Sequence, residues 1–320
     1  MKKYIIGVDI GGTNIKLGIF DSESVSLIEK VEIKTPKRDQ SHSIFLSIKS
    51  EIDELIRVYK CEYEDILGIG VAVPCPVKNG YVFSCPNLDW TNLDIIKELS
   101  NLFPSSVKIA VSNDASLAAV GENESLEIPY KNAVLITLGT GVGGGIIIDG
   151  NIHEGSMGFG GEIGHMRVYE EDNLTCGCGS KGCLEQICGT QGILQYTKKL
   201  AEKNKTIIDL NRLSVKAVFE AAKEGDLIAN KVIDRVAKYL AISASLLAMI
   251  VDPEVFIIGG GVSNAGSFLI DKIEKHFKNE ARFSSGRIPF ILAKTGNDAG
   301  IIGAANLVKK RIESGVNDIA

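Results

Sequence analysis

One pattern occurs twice in this chain: an apolar strand, a glycine-rich turn, then a second apolar strand. The first copy is "YIIGVDIGGTNIKLGIF" over residues 4–20, and the second is "NAVLITLGTGVGGGIIID" over residues 132–149. In each, runs of Ile, Val and Leu flank a turn of Gly and Thr, joined in the first copy by Asp and Asn, the composition of a tight β-hairpin. Each copy stands near the start of one half of the 320-residue chain. Strands alternate with helical segments between and after them, so the chain reads as two α/β lobes.

The remaining segments extend this reading. Ile44, Ile48, Ile52, Leu55, Ile56 and Tyr59 share one helical face over residues 44–59. "LGIGVAV" is a buried strand stopped by Pro74 and Pro76. "VKIAVSNDASLAAVGE" is a strand, a turn at Ser112–Asp114 and a helix, and the helix over residues 227–251 ends at Asp252-Pro253. "VFIIGGGVSN" is a strand followed by a third glycine turn, and "NDAGIIGAANLVKKRI" is a closing helix. No Pro- or Ser-rich linker marks a boundary. The expected division is a small lobe over residues 1–118 and a large one over 119–298, with the closing helix in 299–320 packing back on the first.

Composition narrows the function class. Apolar residues make up 45% of the chain, enough for a sizeable core, and the net charge is −5. No Lys/Arg cluster is long enough to grip a phosphate backbone, which argues against nucleic acid as a partner. The basic start "MKK" leads into an apolar run that Asp9 interrupts too soon for a signal peptide. The longest apolar stretch, Leu240 to Val251, falls far short of the ~20 residues of a membrane span. Seven cysteines, three clustered and four scattered, do not form a disulfide framework. A reducing cytoplasm is the expected setting.

"GTGVGG" at Gly139–Gly144 has the letters of a dinucleotide fingerprint. That fingerprint must open a helix, whereas this one runs into the strand-like "GIIIDG". A hairpin turn can serve phosphate in another way. Glycines let the backbone approach closely, and successive N–H groups form an anion nest. "DIGGTN" adds the Asp9 carboxylate, able to hold Mg²⁺ directly or through water, and the Thr13 hydroxyl. One such turn is an ordinary tight hairpin, but two together with "GGG" at residues 259–261 point to a nucleotide. The pattern resembles the sugar kinase–actin–heat-shock ATPase fold, an α/β class with two lobes and the active site in the interlobe cleft. That resemblance implies ATP and Mg²⁺. It makes Asp9, Gly11, Gly12, Thr13 and Lys16 the first phosphate loop, and Thr137, Gly139, Thr140, Gly141 and Gly143 the second. Gly260 and Gly261 would lie beside the nucleoside.

A second feature is the stretch "GEIGHMRVYEEDNLTCGCGSKGCLEQ" over residues 161–186. It holds one of only four histidines and three of the seven cysteines. His165, Cys176, Cys178 and Cys183 form a closed N/S donor set suited to tetrahedral Zn²⁺, with no open position, so the metal is read as structural. Glycines at 177, 179 and 182 allow a tight wrap. Cys61, Cys75, Cys85 and Cys188 lack such company and read as packing residues. Glu162 and Glu185 flank the set. A neutral histidine gives one ring nitrogen to a metal and can turn the other toward a hydroxyl. Rigid carboxylates and an imidazole edge are what a polyol substrate needs.

"GEIGH" followed by "CGCGSKGCLE" resembles the signatures of the ROK family (repressors, uncharacterised frames and sugar kinases). "DIGGTNIKLGIFD", "PNLDW", "SNDASLAAVGE" and "TLGTGVGGGI" match its other segments in order, over nearly the whole chain. The resemblance implies that Glu162, His165 and Glu185 bind a sugar, with Asn113 beside them, and that Asp114 is the catalytic base. Asp114 needs this support, because "SNDAS" at 112–116 is echoed by "GNDAG" at 296–300. Both aspartates precede helices, and the plain reading of Asp298 is a helix N-cap.

The implied chemistry is phosphoryl transfer from ATP to a sugar hydroxyl, most simply the 6-hydroxyl of glucose. Kinases of the family often carry Pro-Gly where this chain has Pro74-Cys75, and glucokinases often have Asn where it has Ser116. Another hexose is therefore an alternative acceptor: allose, N-acetylmannosamine or fructose. A sugar-sensing repressor is the disfavoured alternative, because it would need a helix-turn-helix and the first strand is expected at about Tyr4. A homodimer or homotetramer is expected.

Overall fold

The computed structural model describes residues 2–37, 40–169, 175–261, 266–282 and 286–315. Within it the chain divides into two compact units. One comprises Met1–Pro129, Ile152–Gly160 and Asn297–Ala320, and the other Tyr130–Asn151 and Gly161–Gly296.

The first unit is built on β1 (Tyr4–Ile10), β2 (Asn14–Asp21), β3 (Leu27–Lys34), β4 (Ile66–Val73) and β7 (Lys108–Asn113), in the order β3-β2-β1-β4-β7. β1 pairs antiparallel with β2 and parallel with β4, and β4 pairs parallel with β7. β1 and β4 are apolar almost throughout because the sheet is covered on both faces. On one face α1 (Gln40–Tyr59) buries Ile44, Phe45, Ile48 and Ile52 in a core with Ile6, Val8 and Ile10. On the other, α9 (Ala299–Ser314) packs Ile301, Ala304 and Val308 with Ile5, Phe20 and Ala110. The α9 backbone comes so close that a Cβ on Gly70 of β4 would sit 1.8 Å from Ala304 O. β3 is exposed, and its Glu29, Lys30, Glu32 and Lys34 discourage pairing with another edge. β5 (Tyr81–Cys85) and β6 (Trp90–Asp94) form a separate ribbon followed by α2 (Ile95–Ser100).

The division falls between Pro129 and Tyr130, later than the expected position near residue 118. Packing explains the shift. α3 (Asp114–Glu124) lies against α9 so tightly that a Cβ on Gly121 would be 2.1 Å from Ala299 O. The whole of α3 therefore stays with the first unit. So does Ile152–Gly160, which no sequence signal assigned there.

The second unit repeats the plan. β10 (Asn151–Ile152, within which the unit boundary falls), β9 (Val142–Ile148), β8 (Ala133–Leu138), β11 (Val255–Gly259) and β12 (Phe290–Leu292) lie in the order β10-β9-β8-β11-β12. β8 pairs antiparallel with β9 and parallel with β11. α4 (Glu185–Cys188), α5 (Thr190–Ala201), α6 (Val215–Lys223), α7 (Leu227–Val251) and α8 (Ser267–Glu280) complete it. α7 starts where Asp226 accepts the Ala229 N–H at 2.8 Å. It stops at Asp252, which takes a left-handed conformation (φ 47°) before Pro253. Its Val232, Val236, Leu240 and Ala244 share a core with Val134, Ile136, Phe256 and Ile258. Among the described residues no helix is long and apolar enough to cross a membrane.

Candidate functional site

The turn between β1 and β2 is closed by the Gly11 N–H donating to Asn14 O at 3.0 Å. Thr35, just past β3, holds it from outside. Its N–H donates to Thr13 O at 3.0 Å, and its Oγ1 donates to Gly11 O at 2.6 Å. Gly12 and Thr13 remain exposed at the tip. Asp9 and Lys16 are cross-strand partners at the base of this hairpin. Burial pushes the Asp9 carboxyl above its ordinary value, and Lys16 offsets this only in part. A carboxylate that is desolvated and incompletely compensated is suited to a divalent cation. Gly300 leaves the space for it, since a Cβ there would lie 2.9 Å from Asp9 Oδ2. Lys16 Nζ donates to Asn297 O at 2.9 Å.

Asp114 stands where β7 gives way to α3. Its neighbour Asn113 is the N-cap, with Oδ1 accepting the Ser116 N–H at 3.0 Å. Asn113 Nδ2 donates to Asp114 Oδ1 at 3.1 Å and to Cys75 O at 3.4 Å. Asp114 Oδ1 also accepts the Ala115 N–H at 2.7 Å. Behind this corner Ser112 Oγ donates to Glu154 Oε1 at 2.5 Å, and Arg311 Nη2 donates to the same oxygen at 3.2 Å. Cys75 and Ser116, the two departures noted in the sequence, are both buried beside Asn113. Asp298 differs from its expected role. It occupies the N-cap position of α9, but its side chain accepts no helix N–H. Instead both its oxygens bind Lys30 Nζ, at 2.7 and 2.9 Å.

In the second unit the β8–β9 turn is likewise closed by a glycine N–H and held by a threonine. The Gly139 N–H donates to Gly141 O at 3.0 Å. Thr190, at the start of α5, donates to Gly139 O through its N–H at 3.0 Å and its Oγ1 at 2.8 Å. Thr137 lies opposite Gly143 in the ladder, and Thr140 is exposed at the tip. Gly260 has a positive φ of 80° and backs onto this hairpin, where a Cβ would meet Leu138 O at 2.3 Å. Nothing lies within 4 Å of a Cβ placed on Gly261.

The four sequence-predicted ligands converge. His165 Nδ1 lies 3.5 Å from Cys176 Sγ, Cys178 Sγ lies 3.7 Å from Cys183 Sγ, and all four donor atoms fall within 4.8 Å of one another. Tetrahedral zinc, with bonds of about 2.3 Å to sulfur and 2.0 Å to nitrogen, needs donor separations of about 3.6–3.8 Å. Gly179 and Gly182 supply the left-handed turns, at φ 84° and 78°, that fold the loop into this shape. Burial pushes the Cys183 thiol up to about 12, while the Ser180 backbone N–H helps to bring Cys178 down to about 7. Cys61, Cys75, Cys85 and Cys188 form no disulfide, and the last three are buried.

Glu162 and Glu185 border this cluster. Glu162 Oε2 is 3.8 Å from His165 Nε2, the ring nitrogen not turned to the thiols. Burial pushes the Glu162 carboxyl up, opposed by His165 and reinforced by the negative charge of Glu185. Glu185 Oε1 accepts from Cys176 Sγ at 3.8 Å, and its Oε2 accepts the Val142 N–H at 3.1 Å. A Cβ on Gly141 would strike that carboxylate, at 2.0 Å from Oε2. Glu162, His165 and Glu185 thus stand together in the second unit, beside its glycine hairpin. Asn113, Asp114, Asp9 and the first hairpin belong to the first unit. Sequence reading missed Thr35, Thr190 and Glu154, because their partners are far away along the chain.

The whole chain is similar to known sugar kinases. The chain is 36% identical to a glucokinase of Halalkalibacterium halodurans, over 98% of this chain and 97% of that protein. It is 31% identical to an N-acetyl-D-glucosamine kinase of Aliivibrio fischeri, over 94% of this chain and 98% of that one. Its fold matches the crystal structure of a Streptomyces griseus ROK glucokinase in complex with glucose and AMPPNP. The TM-score is 0.75 at 30% identity, with 96% of this chain and 99% of that one covered. The ROK family model matches residues 5–311, and the chain belongs to the ROK family.

Proposed function

We propose that this chain is an ATP-dependent hexose kinase that phosphorylates glucose at the 6-hydroxyl. The observation that carries the reading is at the β7–α3 corner: Asn113 caps the helix, so the adjacent Asp114 carboxylate is not needed for that task. In the proposed reaction Asp114 accepts the proton of the sugar hydroxyl and orients its oxygen toward the γ-phosphorus of ATP. N–H groups of the two glycine turns take up the charge that spreads over the phosphate oxygens. Asp9 would hold Mg²⁺, which when bound neutralises charge on the β- and γ-phosphates. Glu162, His165 and Glu185 accept and donate hydrogen bonds to sugar hydroxyls, with Asn113 at the reacting end. Gly260 and Gly261 border the nucleoside.

We further propose a structural zinc at His165, Cys176, Cys178 and Cys183. The donor separations support it, and the closed set leaves no position for catalysis. Bound there, the metal would fix the loop that carries Glu162 and Glu185. Cysteines that form no disulfide suit a reducing compartment such as the cytoplasm.

A second hexose as physiological substrate is favoured by one observation. By the family resemblance glycine is often expected at the position of Cys75, whose carbonyl here accepts from Asn113 Nδ2. ADP release measured over a panel of glucose, allose, mannose, fructose, N-acetylglucosamine and N-acetylmannosamine decides between the two readings. Glucose giving the highest kcat/KM supports ours. A site hydrogen-bonded to each hydroxyl discriminates sharply against a sugar lacking one. Phosphorus NMR that placed the phosphate on the anomeric oxygen would overturn the regiochemistry.

A further inference from the structure

The two glycine turns are gripped alike. In the first unit Thr35 donates both its N–H and its hydroxyl to carbonyls of the turn at Gly11–Thr13. In the second Thr190 donates both to the carbonyl of Gly139. The threonines come from unrelated elements, one just after a strand and the other at the start of a helix. In each case the hydroxyl reaches the carbonyl of the glycine one residue before the exposed tip.

That choice of carbonyl has a geometric consequence. The peptide bonds are trans, so the C=O of a residue and the N–H of the next point in opposite directions within one plane. Pinning Gly11 O toward Thr35 turns the Gly12 N–H away from Thr35. Pinning Gly139 O toward Thr190 turns the Thr140 N–H away from Thr190. Neither N–H donates to any group among the described residues. Each is an exposed donor whose direction is set by a bond on its far side. A glycine turn without such a restraint would sample several peptide orientations and would lose that freedom on binding an anion.

We infer that Thr35 and Thr190 are positioning residues for the nucleotide, each pre-aiming one backbone N–H, of Gly12 and Thr140, at a phosphate oxygen. This rests on the reading of the two turns as phosphate loops. The threonines touch neither phosphate nor sugar; they act through the peptide plane. At Thr35 the effect falls on ATP and spares the sugar; at Thr190 it falls mainly on ATP, since Glu185, read as a sugar contact, accepts the Val142 N–H just beyond the turn.

Thr35→Val and Thr190→Val keep the shape and the N–H and remove the hydroxyl. Thr35→Ser and Thr190→Ser restore it. Each Val variant should weaken binding of a non-hydrolysable ATP analogue about three- to tenfold, the loss of one net hydrogen bond. KM for ATP should rise in parallel, KM for glucose should stay within about twofold, and the Ser variants should recover most of the loss. The positions lie in separate units, so misfolding of one variant leaves the other as the test. Amide NMR of the parent separates the two levels of the argument. If saturating analogue does not move the Gly12 and Thr140 resonances, the phosphate-loop reading itself fails. If those resonances move and the folded Val variants bind as tightly as the parent, the positioning role is overturned.

Discussion

Asn113 and Asp114 divide between them two tasks that their sequence neighbourhood leaves ambiguous. Asn113 Oδ1 accepts the Ser116 N–H at 3.0 Å and so caps α3, while its Nδ2 donates to Asp114 Oδ1 at 3.1 Å. The amide therefore ends the strand, starts the helix and orients the neighbouring carboxylate. Asp114→Asn should preserve shape and remove the proton acceptor. Turnover should fall roughly 10²–10⁴-fold, with sugar and ATP binding within several-fold of the parent. Asn113→Ala should cost about 1 kcal/mol through loss of the cap, and should lower kcat as well because Asp114 loses its orienting donor. Steady-state kinetics and thermal melts on the two variants separate these effects. A fully active Asp114→Asn enzyme would rule out the assignment.

Asp298 is the echo of Asp114, and its structural role differs. Its carboxylate pairs with Lys30 across the first unit and makes no helix cap. Both partners are partly exposed, so the pair is worth at most about 1 kcal/mol. Asp298→Asn should leave turnover intact and lower thermal stability only slightly. Lys30→Met should do the same, and the double variant should show a coupling below about 1 kcal/mol that shrinks in high salt. A cap would give no coupling to Lys30, so the cycle distinguishes the two roles.

What could be read from letters follows from how local the signal is. The hairpins, the strand ending at Asn113 and the helix over residues 227–251 announce themselves through glycine turns, capping residues and a proline stop within a few positions. The convergence of the candidate metal ligands is nearly as local, three cysteines within eight residues of one another. The pairing of Asp298 has no local signature, because Lys30 is 268 residues away. The first unit's claim on Ile152–Gly160 was invisible for the same reason. It depends on Glu154 meeting Ser112 and Arg311, and on Lys78 Nζ donating to Gly155 O at 2.9 Å. The break lies later than residue 118 because α3 packs on α9 through glycine, and tight helix contact has no signature in either helix alone.

The metal reading predicts about one zinc per chain by elemental analysis, since the four donors make one closed site. Cys178→Ser should lower both zinc content and melting temperature. Strong chelators should also raise KM for glucose, because Glu162 and Glu185 sit on the loop that the metal would fix. Folded, active protein without zinc would end this reading and leave the sugar-binding assignment standing on its own.

Asp9 gives a prediction in pH. Burial raises its carboxyl above the ordinary value, so ionising it in the folded, metal-free protein costs more than in the unfolded chain. That penalty is absent at low pH, where both states hold the proton. It grows as pH rises from about 4, the usual Asp value, and is complete above the folded value. Asp9→Asn removes the charge and with it the penalty. Without metal the variant should therefore melt at or above the parent's temperature at pH 7.5, and the difference should shrink as pH is lowered toward about 4. Mg²⁺ with a non-hydrolysable ATP analogue should reverse the order. The parent gains stability from ligand that binds only the folded state, and the variant, lacking the Mg²⁺ carboxylate, gains much less. Thermal melts at the two pH values, with and without Mg²⁺ and analogue, test both halves. A variant less stable than the parent without metal at pH 7.5, yet stabilised as fully by Mg²⁺ and analogue, would show that Asp9 is a structural ion-pair partner of Lys16 and holds no cation.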